Sequence, residues 1–237
     1  MSMAVDQPIV DIQSLHFRWQ AGLADILHIP RLTIQAGERV FLAGQSGSGK
    51  STLLSLLAGV MLPQQGQINI LGQQLHTMRD SRRDHFRADH IGFVFQMFNL
   101  IPYLSLVENV TLPLHFSKHR RARVDGDPAR EALRLLNALG LNEPQLLSRP
   151  VTELSVGQQQ RVAAARALIG APALLIADEP TSALDRRHRQ SFIELLFDEC
   201  ERQGSSLLFV SHDEQLGELF ERRIDMRQIN QAHAEAD

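Results

Sequence analysis

The stretch Gly44-Gln45-Ser46-Gly47-Ser48-Gly49-Lys50-Ser51 fits the pattern GxxxxGK[ST] in full. A turn that holds phosphate must aim successive backbone N–H groups at its oxygens. Glycine permits both the backbone angles and the close approach that this requires. The start of the following helix adds the positive end of its dipole. In such a cradle Lys50 neutralises the β- and γ-phosphates and the Ser51 hydroxyl ligates Mg²⁺. Gly44, Gln45, Ser46, Gly47, Ser48, Gly49 and Thr52 are the remaining expected contacts. The motif needs a strand before it and a helix after it. Arg39–Leu42 reads as that strand and Ser51–Ala58 as that helix, a context that a chance match in a glycine-rich loop would lack.

A second stretch, Ala173-Leu174-Leu175-Ile176-Ala177-Asp178-Glu179, is a hydrophobic strand ending in two carboxylates. Strands of this kind lie inside a sheet, with their C-terminal ends opening on the ligand crevice of an α/β fold. Asp178 is then placed to hold Mg²⁺, and Glu179 to accept a proton from, or orient, the water that attacks the γ-phosphate. Read alone, the pair could simply end a strand in a polar turn before Pro180. Beside a phosphate cradle that reading loses its force.

Working outward, Gln67–Leu71, bounded by Gly66 and Gly72, and Ser206–Val210 read as further strands. Strands alternating with helical patterns predict a mostly parallel sheet flanked by helices, an α/β fold. From about residue 97 to 164 the strand signals fade and helices take over. Asp127 caps one helix with Pro128 at its first position and Gly140 as its stop, and its apolar face is Ala132, Leu135, Leu136 and Leu139. No internal repeat is visible. The polar tail, residues 228–237, lacks periodicity and is expected to fray.

Composition narrows the function classes. The chain has 237 residues, 43% hydrophobic and 22% charged, enough for a substantial core. A net charge of −3 argues against a protein whose main work is gripping nucleic acid. The single cysteine, Cys200, in an expected helix over residues 192–202, excludes an internal disulfide and any site built on several thiolates. Residues 1–8 show no leader pattern, and the longest apolar run, near residues 167–177, is broken by Gly170 and Pro172. The expectation is a cytoplasmic protein whose membrane contact comes only through a partner.

Phosphate cradles occur in kinases, GTPases, helicases and motors, so the first motif leaves the class open. Leu154-Ser155-Val156-Gly157-Gln158 resembles the LSGGQ signature of ABC ATPases and precedes the carboxylate-ending strand by the interval that family shows. The resemblance extends over nearly the whole chain. Gln96 in Phe93-Val94-Phe95-Gln96 matches the Q-loop, Ser182-Ala183-Leu184-Asp185 the D-loop, and His212 the switch histidine. What this implies is a P-loop NTPase (RecA-like) core with an N-terminal antiparallel β subdomain and an inserted α-helical subdomain, residues 1–237 forming one ATPase domain. It also implies binding of ATP and Mg²⁺, with Glu179, His212 and Lys50 catalytic and Ser51, Gln96 and Asp178 near the metal. Ser155, Gly157 and Gln158 are implied to meet the γ-phosphate held by a second copy of the chain, Ser155 capping a helix over residues 157–168. Trp19 aligns with the aromatic that stacks on adenine, with Phe17 as the alternative. Val156 departs from the pattern, which has glycine there. A φ above zero would strain it, and a helical φ would not.

The run Gln96-Met97-Phe98-Asn99-Leu100-Ile101-Pro102, continuing to Leu112-Pro113-Leu114, is similar to the bacterial branch of lipoprotein-releasing, macrolide-exporting and cell-division ATPases. Phe98, Leu100 and Tyr103 are expected to form a groove for a helix of transmembrane permease subunits, unless they pack the insertion itself. Arg82, Arg83 and Arg87, and His119, Arg120, Arg121 and Arg123, read as solvated basic faces, with anionic lipid contact as the sharper alternative. The resemblance implies a transport ATPase on the cytoplasmic face of the inner membrane. The alternative is a non-transport ATPase of the cell-division type, signalling through membrane subunits. A soluble relative acting on DNA or ribosomes would carry tandem units or coiled-coil arms, which the sequence does not show.

Overall fold

The computed structural model describes residues 7–143, 145, 149–182 and 184–232. The chain divides into two compact units, one made of Met1–Arg87 with Leu208–Asp237 and the other of Ala88–Leu207.

In the first unit, β1 (Val10–Phe17), β2 (Leu27–Ile34), β4 (Gln65–Ile70) and β5 (Gln73–Gln74) form an antiparallel sheet in the order β2-β1-β4-β5. The register pairs Val10 with both Ile34 and Ile70. Alternation buries Val10 and Ile12, then slips phase at Ser14, whose φ is 47°, so that Leu15 and Phe17 are buried next. Opposite this bulge only a glycine fits: a Cβ on Gly66 would lie 2.1 Å from the Ser14 carbonyl oxygen. Separately, β3 (Arg39–Ala43) pairs in parallel with β9 (Arg222–Asp225), Val40 opposite Arg222. Val40 to Ala43 are all buried, as a central strand requires. Phe41, Phe209 and Phe220 cluster with ring centroids 5.2 to 6.2 Å apart. Helix α1 (Lys50–Leu57) buries Leu53, Leu54, Leu56 and Leu57, and α2 (Asp80–His90) follows.

In the second unit, β6 (Ile91–Val94) and β7 (Leu174–Asp178) are parallel, Ile91 opposite Leu174 and Val94 opposite Ala177. Between them lie α3 (Leu106–Thr111), α4 (Pro113–Phe116), α5 (Lys118–Ala122), α6 (Pro128–Ala138) and α7 (Val156–Leu168), with no strand among the described residues. The local signals operate as expected: Asp127 accepts from Ala129 N at 3.0 Å, Pro128 opens α6, and Gly140 takes φ 80° just beyond its end. Asn109, fully buried, accepts from Ile101 N at 2.8 Å and donates to the carbonyls of Ile101, Leu104 and Ser105. This one amide satisfies a turn that has no ladder of its own.

Helix α8 (Arg186–Gln203) starts at an Asp185 cap, stops at Gly204 with φ 68°, and buries Cys200. Its Glu199 is 3% exposed and receives hydrogen bonds from Arg134 of α6 at 2.7 Å and from Arg202 at 2.6 Å. No described helix is long and apolar enough to cross a membrane.

The basic runs are not uniformly solvated. Arg83 is buried, its Nε donating to Gly59 O at 2.7 Å. Arg120 is buried too, its Nε donating to Ile169 O at 2.8 Å and its Nη2 to Ala167 O at 2.5 Å, and burial brings its pKa down to about 10. Each guanidinium closes backbone carbonyls far away in the chain, which a count of charges cannot reveal. The tail also differs from expectation: Met226–Ile229 form a short helix, α9, and Asn230 is buried. Residues 233–237 of that tail lie outside the described residues.

Candidate functional site

The first unit carries the glycine turn. Strand β3 delivers the chain to Gly44 and α1 leaves from Gly49, whose φ of 94° and ψ of 6° place it in the left-handed region. Two of the glycines have no room for a side chain. A Cβ on Gly44 would lie 2.7 Å from Ser48 Oγ, and one on Gly49 would lie 2.6 Å from Leu27 Cδ2. The start of α1 has no capping side chain and no acidic residue in its first turn, so its leading N–H groups keep their positive character. Ser48 Oγ is buried and meets no hydrogen-bond partner among the described residues. A buried hydroxyl left over, an uncapped helix start and a turn with no room for a Cβ at Gly44 or Gly49 together describe a surface shaped for an anion.

Lys50 reaches back across this turn, donating to Gly44 O at 2.5 Å and Gln45 O at 3.0 Å. Gln45, Ser46, Gly47 and Ser51 are exposed, and Thr52 is buried on α1. Asn230 supports the loop from the tail. Its Nδ2 donates to Ile26 O at 2.9 Å and Ser48 O at 3.3 Å, while its Oδ1 accepts from His28 N at 2.9 Å. Nothing near Asn230 in the sequence announces this role, because its partners lie about two hundred residues earlier.

Trp19 follows the end of β1, is 60% exposed, and meets Phe17 edge to face with centroids 5.4 Å apart. Phe17 itself is 5% exposed and belongs to the core, so the accessible ring is the tryptophan. Trp19 borders a recess of about 300 Å³ with His16, Arg18 and Gln64. His212 is exposed directly after β8 (Ser206–Ser211).

The second unit carries the carboxylates. Asp178 ends β7, and Glu179 follows it, 9% exposed and with φ 47°. A non-glycine residue in the left-handed region costs of order 1 kcal/mol or more, a conformation that persists where surroundings impose it. Gln96 is exposed just beyond β6. Ser182 and Leu184 are described, while Ala183 of the expected D-loop lies outside the described residues. Asp185 caps α8, accepting from His188 N at 3.0 Å and lying 2.7 Å from His188 Nδ1.

Ser155 caps α7 as expected, and does so reciprocally. Its Oγ accepts from Gln158 N at 3.3 Å, and Gln158 Oε1 accepts from Ser155 N at 2.9 Å. This capping box, signalled by Ser three residues before Gln, is a feature the sequence reading passed over. It occupies two of the donors at the helix start that an anion would use. Gly157 lies where a Cβ would come 3.2 Å from Leu184 Cδ2. Ser155, Gly157, Gln158, Arg161, Leu184 and His188 border a recess of about 270 Å³. Val156 is the first residue of α7, 46% exposed and outside the left-handed region, so the departure from glycine carries no backbone strain.

The apolar segment after Gln96 corrects one expectation. Tyr103 is 84% exposed and Leu100 half-buried, but Phe98 is buried, and the strongly exposed residues beside Tyr103 are Met97 and Phe116. The cause is a turn with Phe98 at φ 58° and Asn99 at φ 51°, two successive left-handed residues that direct Phe98 inward. Arg166 of α7 holds this turn, donating to Asn99 O at 2.7 Å and to Phe98 O. Burial holds the Arg166 guanidinium below its ordinary pKa.

With this geometry in hand, comparison with known proteins is direct. A family model described as ABC transporter matches residues 27–182. The lipoprotein-releasing system ATP-binding protein LolD of Psychrobacter arcticus is 43% identical over 197 residues, spanning 83% of this chain and 84% of that protein. A dimeric, post-hydrolysis structure of the ATP-binding cassette MJ0796 bound to ADP and Pi is 35% identical, with a TM-score of 0.79 over 91% of this chain and 93% of that one. A further dimeric structure of MJ0796, described as a bacterial ABC transporter cassette, is 34% identical, with the same TM-score and coverage.

Proposed function

Since the chain belongs to the ABC transporter family, we propose that it is the ATP-binding and ATP-hydrolysing subunit of a transporter, one that dimerises on ATP and drives separate transmembrane permease subunits. The observation that carries this reading is the anion cradle at Gly44–Ser51, with its orphaned Ser48 hydroxyl and uncapped helix start. We read residues 1–237 as one ATPase domain, with the helical part at about 97–164 inserted in its α/β core. The protein works at the cytoplasmic face of the inner membrane, its membrane contact made only through its partner. The likeness to a lipoprotein-releasing subunit favours transport, with lipid-anchored proteins as the cargo class of the assembled complex.

The residues take the following roles. Gly44, Gln45, Ser46, Gly47, Ser48, Gly49 and Thr52 bind the phosphates, and Lys50 balances the charge that grows on the β- and γ-phosphates during transfer. Trp19 stacks on the adenine ring. Glu179 accepts a proton from, or orients, the attacking water, and His212 contacts the γ-phosphate. Ser155, Gly157 and Gln158 close over the γ-phosphate bound by the other copy. For that, Gln158 must release the backbone N–H of Ser155 that its side chain covers.

The oxygen donors of Ser51, Asp178 and Gln96 suit a hard cation. Among the described residues no group of three His, Cys, Asp or Glu could form a closed metal cage. Mg²⁺ takes one or two protein ligands together with substrate phosphates. Bound there, Mg²⁺ would neutralise charge between the β- and γ-phosphates.

The test is Glu179→Gln. It leaves ATP binding intact, lowers turnover roughly 10²- to 10⁴-fold, and accumulates an ATP-bound dimer on gel filtration. Unchanged hydrolysis removes Glu179 from its role, and a stalled protein that stays monomeric in saturating ATP and Mg²⁺ refutes the dimer mechanism.

A further inference from the structure

The loop that carries Trp19, between the end of β1 at Phe17 and the start of β2 at Leu27, is gripped by two side chains. The first is Gln64, an exposed residue in the turn before β4. Its primary amide engages the main chain of Arg18 in both directions: Oε1 accepts from Arg18 N at 2.9 Å, and Nε2 donates to Arg18 O at 2.8 Å. The backbone N of Gln64 also donates to His16 O at 3.2 Å. The β1–β4 ladder ends at the pair His16 and Gln65. The Gln64 side chain therefore prolongs that ladder beyond the backbone and ties down the residue immediately before the indole. An amide has one donor end and one acceptor end, which is what pairing with a single peptide unit of a strand requires.

The second grip is Asp25. Its Oδ2 lies 2.9 Å from His16 Nδ1 and its Oδ1 2.7 Å from Arg18 Nε, with the carboxylate only 12% exposed. The hydrogen bond with His16, and then the Arg18 charge, outweigh burial and hold the carboxyl below its ordinary range. Arg18 is thus fixed by its main chain and by its guanidinium, while Trp19 next to it presents most of its surface to solvent.

An exposed ring on a loose loop loses loop and rotamer freedom when a flat ligand stacks on it, and affinity falls by that amount. We propose that Gln64 is a positioning residue whose two-way amide clamp on Arg18, seconded by Asp25, pre-orients Trp19 to stack on the purine base of the nucleotide. This rests on the reading of Trp19 as the stacking aromatic. Gln64 touches neither phosphate nor water in that scheme, so it affects how tightly nucleotide is held and not how fast it is cleaved.

Trp19 is the only tryptophan in the chain, so its emission reports on this loop alone. The experiment uses the full-length protein as wild type, Gln64→Ala and Gln64→Glu, the last keeping an acceptor while losing the donor. In the nucleotide-free proteins, Gln64→Ala should lower Trp19 fluorescence anisotropy and raise its quenching by acrylamide, with Gln64→Glu between it and wild type. In steady-state ATPase assays Gln64→Ala should raise the KM for ATP about 3- to 10-fold, with kcat changed less than about 2-fold and the melting temperature nearly unchanged for this exposed residue. Anisotropy and quenching identical to wild type in Gln64→Ala overturn the clamp, as does a fall in kcat without a change in KM. If ATP leaves the wild-type emission unaltered, the stacking reading itself has failed and the positioning role falls with it. The nucleotide-free measurements still decide whether Gln64 restrains the loop.

Discussion

Replacing Glu199 by glutamine changes one buried charge and almost no volume. The carboxylate is 3% exposed, and it receives Arg202, Arg134 and Gln203 on its two oxygens. Burial alone would raise its pKa, but the hydrogen bonds from those three side chains outweigh burial and bring it from 4.5 down to about 2. That difference corresponds to about 3 kcal/mol of folding stability supplied by the charged form at neutral pH. A depressed carboxyl contributes fully above its unfolded value and loses the contribution as pH falls toward its folded value. Glu199→Gln should therefore be less stable than wild type by about 3 kcal/mol at pH 7, with the gap narrowing by roughly 1 kcal/mol by pH 3.5. Urea unfolding of both proteins at pH 7, 5, 4 and 3.5, followed by circular dichroism, measures this by linear extrapolation. A gap under about 1 kcal/mol at pH 7, or one that stays constant with pH, would refute the assignment of Glu199 as a charge held by α6 and α8.

Lys50→Ala removes the ammonium that spans the glycine turn; isothermal titration should find no ATP binding at micromolar concentrations, and retained affinity would sink the cradle assignment. Arg120→Leu leaves the Ile169 and Ala167 carbonyls without their donor in the interior. At about 1–3 kcal/mol for each buried acceptor, the variant should unfold at clearly lower temperature in calorimetry, whereas Arg121→Leu, at an exposed position, should differ little from wild type.

Local signals in this chain were legible because their partners lie within a turn or two. The glycine turn, the strand running into Asp178 and Glu179, the Asp127–Pro128 helix start and the Ser155 cap all belong to this class. The Ser155–Gln158 reciprocity was equally local and could have been read. What could not be read depends on distant backbone. Arg83 and Arg120 sit in charge-dense runs that resemble solvated faces, yet Arg83 reaches a carbonyl 24 residues away and Arg120 carbonyls 47 and 49 residues away. Asn230 lies in a polar tail with no periodicity, and its amide meets the glycine turn 182 residues earlier. Phe98 misled for another reason. Composition marks it as one of several apolar residues in an exposed-looking run, but its direction follows from two left-handed dihedrals that non-glycine residues rarely adopt.

The hold of Arg166 on that turn has a mechanical side. Two hydrogen bonds from a charged, largely buried donor, each worth about 1.5–3 kcal/mol, join the segment just past Gln96 to the helix that begins at Ser155. At about two to five times the thermal energy per bond, the pair holds the turn to the helix most of the time and opens only transiently. The exposed Met97 and the Ser155 cap therefore stand at the two ends of one hydrogen-bonded connection.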